Sequence, residues 1–238
     1  CQKMIKRKRL GQHFLTSNAI AKSIVSEAKI GKNDVVFEIG TGLGILTPLL
    51  CENAKKVISI DTDKELYEKA KSRFSNIDNL SIEYGDGFKK QDNFSIFVSN
   101  LPYSKSKEAI EWLAETPFSH GVIMVQKEFA EKLLTKSAKN RRSVSIIANY
   151  AFEIEKFLDV RKNNFSPPPN VDSVVLKIIK KKSIEKDLIY VINKMFSYRR
   201  KTIQNIFKQF GKETIIEKRL DDLSGDEIID LAKEILKR

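Results

Sequence analysis

Cysteine, histidine and tryptophan are scarce in this chain: its 238 residues include two Cys, two His and one Trp. Cys1 and Cys51 lie far apart, and His13 and His120 add no metal-ligand spacing, so neither structural zinc nor a disulfide framework is expected. Both thiols read as free. With 10 Gly and 6 Pro, the chain is neither collagen-like nor of low complexity. No apolar run approaches the roughly 18–20 residues that span a bilayer, and the basic N-terminus lacks the apolar segment of a secretory leader. These absences predict a soluble, cytoplasmic protein that uses no metal and no membrane.

What is present suits a folded chain, since 41% of residues are hydrophobic and 31% charged. The length allows one domain, or one domain with a small appendage. The net charge of +12 is unevenly spread. Residues 1–33 hold 8 Lys and Arg against one acid, residues 34–135 hold 12 against 16, and residues 136–238 hold 23 against 14. Basic flanks around a mildly acidic middle suit a partner rich in phosphate, and nucleic acid is the leading candidate. The clusters Lys6-Arg7-Lys8-Arg9 and Tyr198-Arg199-Arg200-Lys201 sharpen that expectation.

Apolar spacing predicts a helix from Ser17 or Asn18 to about Ala28, followed by a βα rhythm. Asp34 to Ile39 reads as a buried strand, with a glycine turn and a helix to about Leu50 behind it. Lys56 to Ile60 forms a second strand ending at Asp61, and a helix follows over about 64–74. Further strands are expected at Leu80–Tyr84, Phe94–Ser99, Val122–Val125, Phe152–Val160 and Asp172–Ile179. Such alternation predicts a mainly parallel, doubly wound α/β sheet. The last two strands, with no clear helix between them, suggest an antiparallel finish. Beyond Lys180-Lys181-Lys182 only helical spacing remains, including Leu188, Val191, Ile192, Met195, Phe196, Ile228, Leu231, Ala232 and Ile235. The expected organisation is therefore an α/β domain over 1–182 and a small all-helical domain over 183–238.

In a doubly wound sheet, ligands bind outside the carboxyl ends of the strands. The first strand runs into Glu38-Ile39-Gly40-Thr41-Gly42-Leu43-Gly44, where glycine permits a tight turn and a close approach to a ligand. Asp61 follows Gly40 by 21 residues, where an acid accepts ribose hydroxyls. The spacing G-x-G-x-G differs from the G-x-G-x-x-G of pyrophosphate cradles, so a nucleoside without phosphates fits better. After the third strand, Gly85-Asp86-Gly87-Phe88 offers a carboxylate for an adenine amino group and a ring to lie against the base.

The fourth strand ends in Asn100-Leu101-Pro102-Tyr103, with no general base beside it. That suits alkylation of an exocyclic amine by a cationic sulfonium, whose leaving group departs neutral. An adenine N6 lone pair is delocalised into the ring. Two acceptors, the Asn100 side-chain carbonyl and the Leu101 backbone carbonyl, would favour a pyramidal nitrogen whose lone pair faces the methyl group. Pro102 holds Leu101 extended, and Tyr103 offers a stacking face.

These motifs resemble those of the KsgA-type small-subunit ribosomal RNA adenine dimethyltransferases, along nearly the whole chain. The resemblance also rests on Gly11-Gln12-His13-Phe14-Leu15, Met124-Val125-Gln126-Lys127-Glu128, the run Phe165 to Ser173, and Arg199-Arg200-Lys201-Thr202. It implies a Rossmann-like, S-adenosylmethionine-dependent methyltransferase that dimethylates N6 of two adjacent adenosines near the 3′ end of small-subunit rRNA, in ribosome biogenesis. It further implies a monomer whose partner is the immature small subunit. Gln12, His13, Leu15, Gly40, Gly42, Asp61, Thr62, Asp86, Gly87 and Asn100 would hold the cofactor. Asn100 to Tyr103 would hold the target base, with Phe165 stacking on its other face.

Asp61 stands where many members have Glu, and Lys105 and Lys107 stand where small or apolar residues are usual. Two alternatives remain. One is a relative that methylates a single adenosine of large-subunit rRNA and confers macrolide resistance, although Val171-Asp172-Ser173 and Arg199 to Thr202 favour the small-subunit family. The other is a non-catalytic RNA-binding assembly factor, against which the intact motifs argue.

Overall fold

The computed structural model describes residues 12–237, and the cluster Lys6 to Arg9, Gly11 and Cys1 lie outside them. The chain divides into two compact units.

The first unit takes the residues up to Ala109 together with Pro117–Ala130 and Glu155–Ile179. It opens with β1 (Phe14–Leu15) and α1 (Asn18–Glu27). Ser17 accepts the Ile20 N–H and so caps α1, which buries Ala21 and Ile24 on one face. Strands β2 (Val35–Ile39), β3 (Lys56–Asp61), β4 (Leu80–Tyr84), β5 (Ile96–Asn100) and β6 (His120–Gln126) form the parallel body of a seven-stranded sheet. Helices α2 (Thr47–Cys51) and α3 (Lys64–Arg73) follow β2 and β3. Asp63 caps α3 by accepting the Glu65 and Leu66 N–H groups.

The spatial order is β4-β3-β2-β5-β6-β9-β7, with β7 at Phe152–Val160 and β9 at Ser173–Lys180. The antiparallel finish is present: β9 runs against β6, from Gln126 opposite Ser173 to His120 opposite Ile179. A separate two-stranded piece pairs β1 with β8 (Phe165–Ser166), Leu15 lying opposite Phe165. The strands β2, β5 and β6 are buried on both faces, which explains their near-continuous apolar runs. Phe37 stacks on Phe94 at 4.9 Å and on Phe97 at 6.4 Å, and the Phe94 and Phe97 rings lie 6.3 Å apart, so the three cluster in the core.

The second unit takes Ile110–Thr116, Glu131–Ile154 and Lys180–Arg238. Helices α4 (Ser106–Glu115) and α5 (Lys127–Leu134) each contribute residues to both units. Besides the C-terminal helices, the second unit therefore holds α6 (Ser143–Ala151). The physical reason is the amphipathic stripe of α7 (Lys186–Ser197), which buries Leu188, Ile189, Val191, Ile192 and Met195. That stripe packs against α6 and against α9 (Gly225–Leu236), with the short α8 at Ile203–Lys208. Ser224 and Glu227 form a capping box at the start of α9. No described helix is long and apolar enough to cross a membrane.

Candidate active site

Strand order reverses at β2, whose neighbours are β3 on one side and β5 on the other. A pocket of the first unit opens outside the carboxyl ends of these strands, as a topological switch point predicts. Gly40 follows β2 with φ 87°, a left-handed turn that favours glycine, and its N–H donates to Ile60 O at 2.7 Å. At Gly87 the requirement is space, because a Cβ there would come within 2.7 Å of Ile39 Cγ1.

Asp61 is 6% exposed. Its Oδ2 accepts the Gly42 N–H at 2.9 Å and its Oδ1 accepts the Asp63 N–H at 2.8 Å. Burial raises its pKa, and those backbone donors oppose the rise. One carboxylate thus ties the glycine turn to the end of β3 while keeping acceptor capacity for a ligand hydroxyl. Asp86 uses Oδ1 to accept the Phe88 N–H at 3.1 Å, which places its carboxylate in the same wall.

Gln12 contributes a buried Oε1 that has no partner among the described residues. Asp61 and Asp86 present acceptors to the pocket, matched to the hydroxyl and amino donors of a nucleoside, and Gln12 lines it. Thr62 also lines it. Leu15 supplies apolar wall, itself 3% exposed. Among the described residues no group of three or more His, Cys, Asp and Glu could hold a metal ion.

Asn100 ends β5, with its Nδ2 lying 3.5 Å from His13 O. A carbonyl only accepts, so the amide nitrogen faces it and Oδ1 is turned away as an acceptor. Leu101 is 1% exposed, and its N–H donates to Met124 O at 3.2 Å. Pro102, with φ −55°, starts the short turn Tyr103–Lys105. Tyr103 is half-buried, its hydroxyl 2.8 Å from Ser173 Oγ and its ring 5.5 Å from that of His13. Burial raises the phenol pKa, so Tyr103 is neutral. His13 Nδ1 lies 2.8 Å from Pro167 O and donates to it.

The pocket gathers Gln12, His13, Leu15, Gly40, Gly42, Asp61, Thr62, Asp86, Gly87 and Asn100 to Tyr103. Phe165, expected to stack on the target base, does not line this pocket. Antiparallel pairing with Leu15 turns it inward, where it is 4% exposed among Leu15, Val160 and Val175. Arg199, read as part of a basic cluster, is also engaged within the second unit: Nη2 lies 2.8 Å from Asp221 Oδ1 and also meets Lys139 O.

Glu38 was given no role by the sequence reading, yet it is 1% exposed and lines the pocket. Its Oε2 accepts Thr47 Oγ1 at 2.8 Å and Ser59 Oγ at 2.6 Å, and Thr41 Oγ1 lies 2.6 Å from Ser59 Oγ. Burial pushes the carboxyl up to about 7, against those hydrogen bonds, with the Asp61 charge adding to the rise. The available signal was one charged residue inside the apolar run Val35-Val36-Phe37-Glu38-Ile39, a strand buried on both faces.

The profile of the family described as "Ribosomal RNA adenine dimethylase" matches residues 4–234. A ribosomal RNA small subunit methyltransferase A from Thermotoga neapolitana is 36% identical over 234 residues, covering 94% of this chain and 90% of that one. A protein of the same name from Malacoplasma penetrans is 35% identical over 226 residues, covering 90% and 82%. Among solved structures, a dimethyladenosine transferase from Plasmodium falciparum superposes with TM-score 0.79 at 29% identity, covering 94% of this chain and 98% of that one. The 23S rRNA methyltransferase ErmE reaches TM-score 0.66 at 19% identity, covering 94% and 100%, a likeness of fold.

Proposed function

The chain belongs to the ribosomal RNA adenine dimethylase family, whose fold is that of S-adenosylmethionine-dependent methyltransferases, and from that premise we propose that it dimethylates N6 of two adjacent adenosines near the 3′ end of small-subunit rRNA. The observation that carries this is one pocket uniting Gln12 and the acceptors Asp61 and Asp86 with the run Asn100 to Tyr103. The small subunit is favoured over the large by the relatives' names.

S-adenosylmethionine fits these residues and would supply an electrophilic methyl on a cationic sulfur. Asp61 suits the ribose hydroxyls and Asp86 the adenine amino group, while Gln12, His13, Leu15, Thr62 and the backbone at Gly40, Gly42 and Gly87 close the walls. The target adenine, turned out of the RNA, would lie on the Tyr103 ring. Asn100 Oδ1 and the Leu101 carbonyl accept from the N6 amino group, and the nitrogen lone pair is freed to meet the methyl. With S-adenosylmethionine bound there, its methyl would pass to the amine nitrogen with departure of a neutral thioether, and the N6 proton would leave to solvent. A second round on the monomethylated nitrogen completes the product. Catalysis comes from orientation and fixed dipoles, and no step requires a side-chain base.

Labelled S-adenosylmethionine, undermethylated small subunits and mass spectrometry of digested RNA test the proposal. N6,N6-dimethyladenosine in small-subunit RNA is expected. Labelling confined to large subunits would assign the chain to the other substrate. An Asn100→Ala variant that fully supports subunit maturation would favour an assembly role over catalysis.

A further inference from the structure

Val171-Asp172-Ser173 has no task in the site as described, although its serine is fully buried. Ser173 is the first residue of β9 and lies opposite Gln126 of β6, so its place is set by sheet register. Tyr103, by contrast, stands on a three-residue turn, and two side-chain torsions leave its ring free to swing unless contacts hold it. Two contacts do so. The His13 ring, itself pinned to Pro167 O at 2.8 Å, sits 5.5 Å away with planes inclined at 31°. At the far end of the ring, Tyr103 Oη meets Ser173 Oγ at 2.8 Å.

We propose that Ser173 is a positioning residue that fixes the plane of the Tyr103 ring for stacking against the target adenine. This rests on the reading of Tyr103 as the base-stacking face. Stacking depends on ring plane, and a hydrogen bond from the hydroxyl to a side chain fixed by the sheet holds the ring in one orientation. Burial also keeps the phenol protonated, which preserves the tether through the neutral pH range. RNA affinity comes mostly from phosphate contacts. Loss of the tether therefore shows in turnover, not in RNA binding.

The test uses the full chain with undermethylated small subunits, comparing Ser173→Ala, Tyr103→Phe and the double variant. Each single variant is expected to lower kcat about fivefold, the weight of one hydrogen bond. The KM for RNA and the Kd for S-adenosylmethionine should stay within about twofold, and the double variant should be no slower than either single one. Multiplying effects in the double variant would overturn the proposal, as would a Ser173→Ala protein that loses melting temperature and cofactor affinity together while kcat holds. Tyr103→Ala separates the premise from the inference. Full turnover in Tyr103→Ala refutes the stacking role itself, whereas its loss beside an unaffected Ser173→Ala refutes only the tether.

Discussion

Replacing Glu38 by Gln should make the protein more stable at pH 8 and leave it nearly unchanged at pH 4.5. The carboxyl titrates near 7 in the fold against an ordinary 4.5, because it is wholly buried. A carboxyl whose folded pKa is raised opposes folding only when ionised. Below 4.5 both states are protonated and nothing is lost. Between 4.5 and 7 the unfolded chain gives up its proton first, so stability falls as pH rises, and above 7 the loss is constant. A separation of 2.5 pK units corresponds to about 3 kcal/mol.

Both hydrogen bonds to Glu38 converge on Oε2, so an amide oxygen at that place can accept from Thr47 and Ser59 alike. Any cost of the new NH2 group is the same at both pH values and cancels in the comparison. Urea unfolding of both proteins at pH 4.5 and 8 measures it, with a relative midpoint shift of about 1 M for an m-value of roughly 2–3 kcal/mol/M. If the advantage of Glu38→Gln over the parent is equal at the two pH values, the claim of a desolvated, proton-holding carboxyl is wrong.

Asn100→Ala should reduce methyl transfer by about 10²–10³-fold, as for loss of one preorganised polar contact, with cofactor affinity measured by calorimetry changing far less. Asp61→Ala removes the acceptor of the Gly42 N–H and the proposed ribose contact together, so cofactor Kd should weaken roughly 10- to 100-fold; an unchanged Kd would detach Asp61 from the site. Phe165→Ala should cost about 3–5 kcal/mol of stability as a core truncation, read by denaturant unfolding. A stable Phe165→Ala protein with lost activity would instead assign Phe165 the base-stacking role.

The local sequence determined much here, for reasons of short range. Ser17 before an apolar helical stripe, Asp63 before α3, and the near-continuous apolar runs of β2, β5 and β6 follow from capping and from burial on both sheet faces. The site motifs at the strand ends were legible because a glycine turn, a ribose acid and the Asn100 to Tyr103 run each mark the carboxyl end of a strand. Only the tertiary structure decided what depends on pairs distant in sequence. Phe165 became core because β8 meets β1, Ser173 reached Tyr103 through the register of β9 on β6, and α6 entered the second unit because the stripe of α7 needed it. Glu38 drew its raised pKa from burial, against the hydrogen bonds of Ser59 and Thr47, a condition that no residue carries in its own letter. Hydrogen bonds and desolvation are set by neighbours in space, and sequence order leaves those neighbours open.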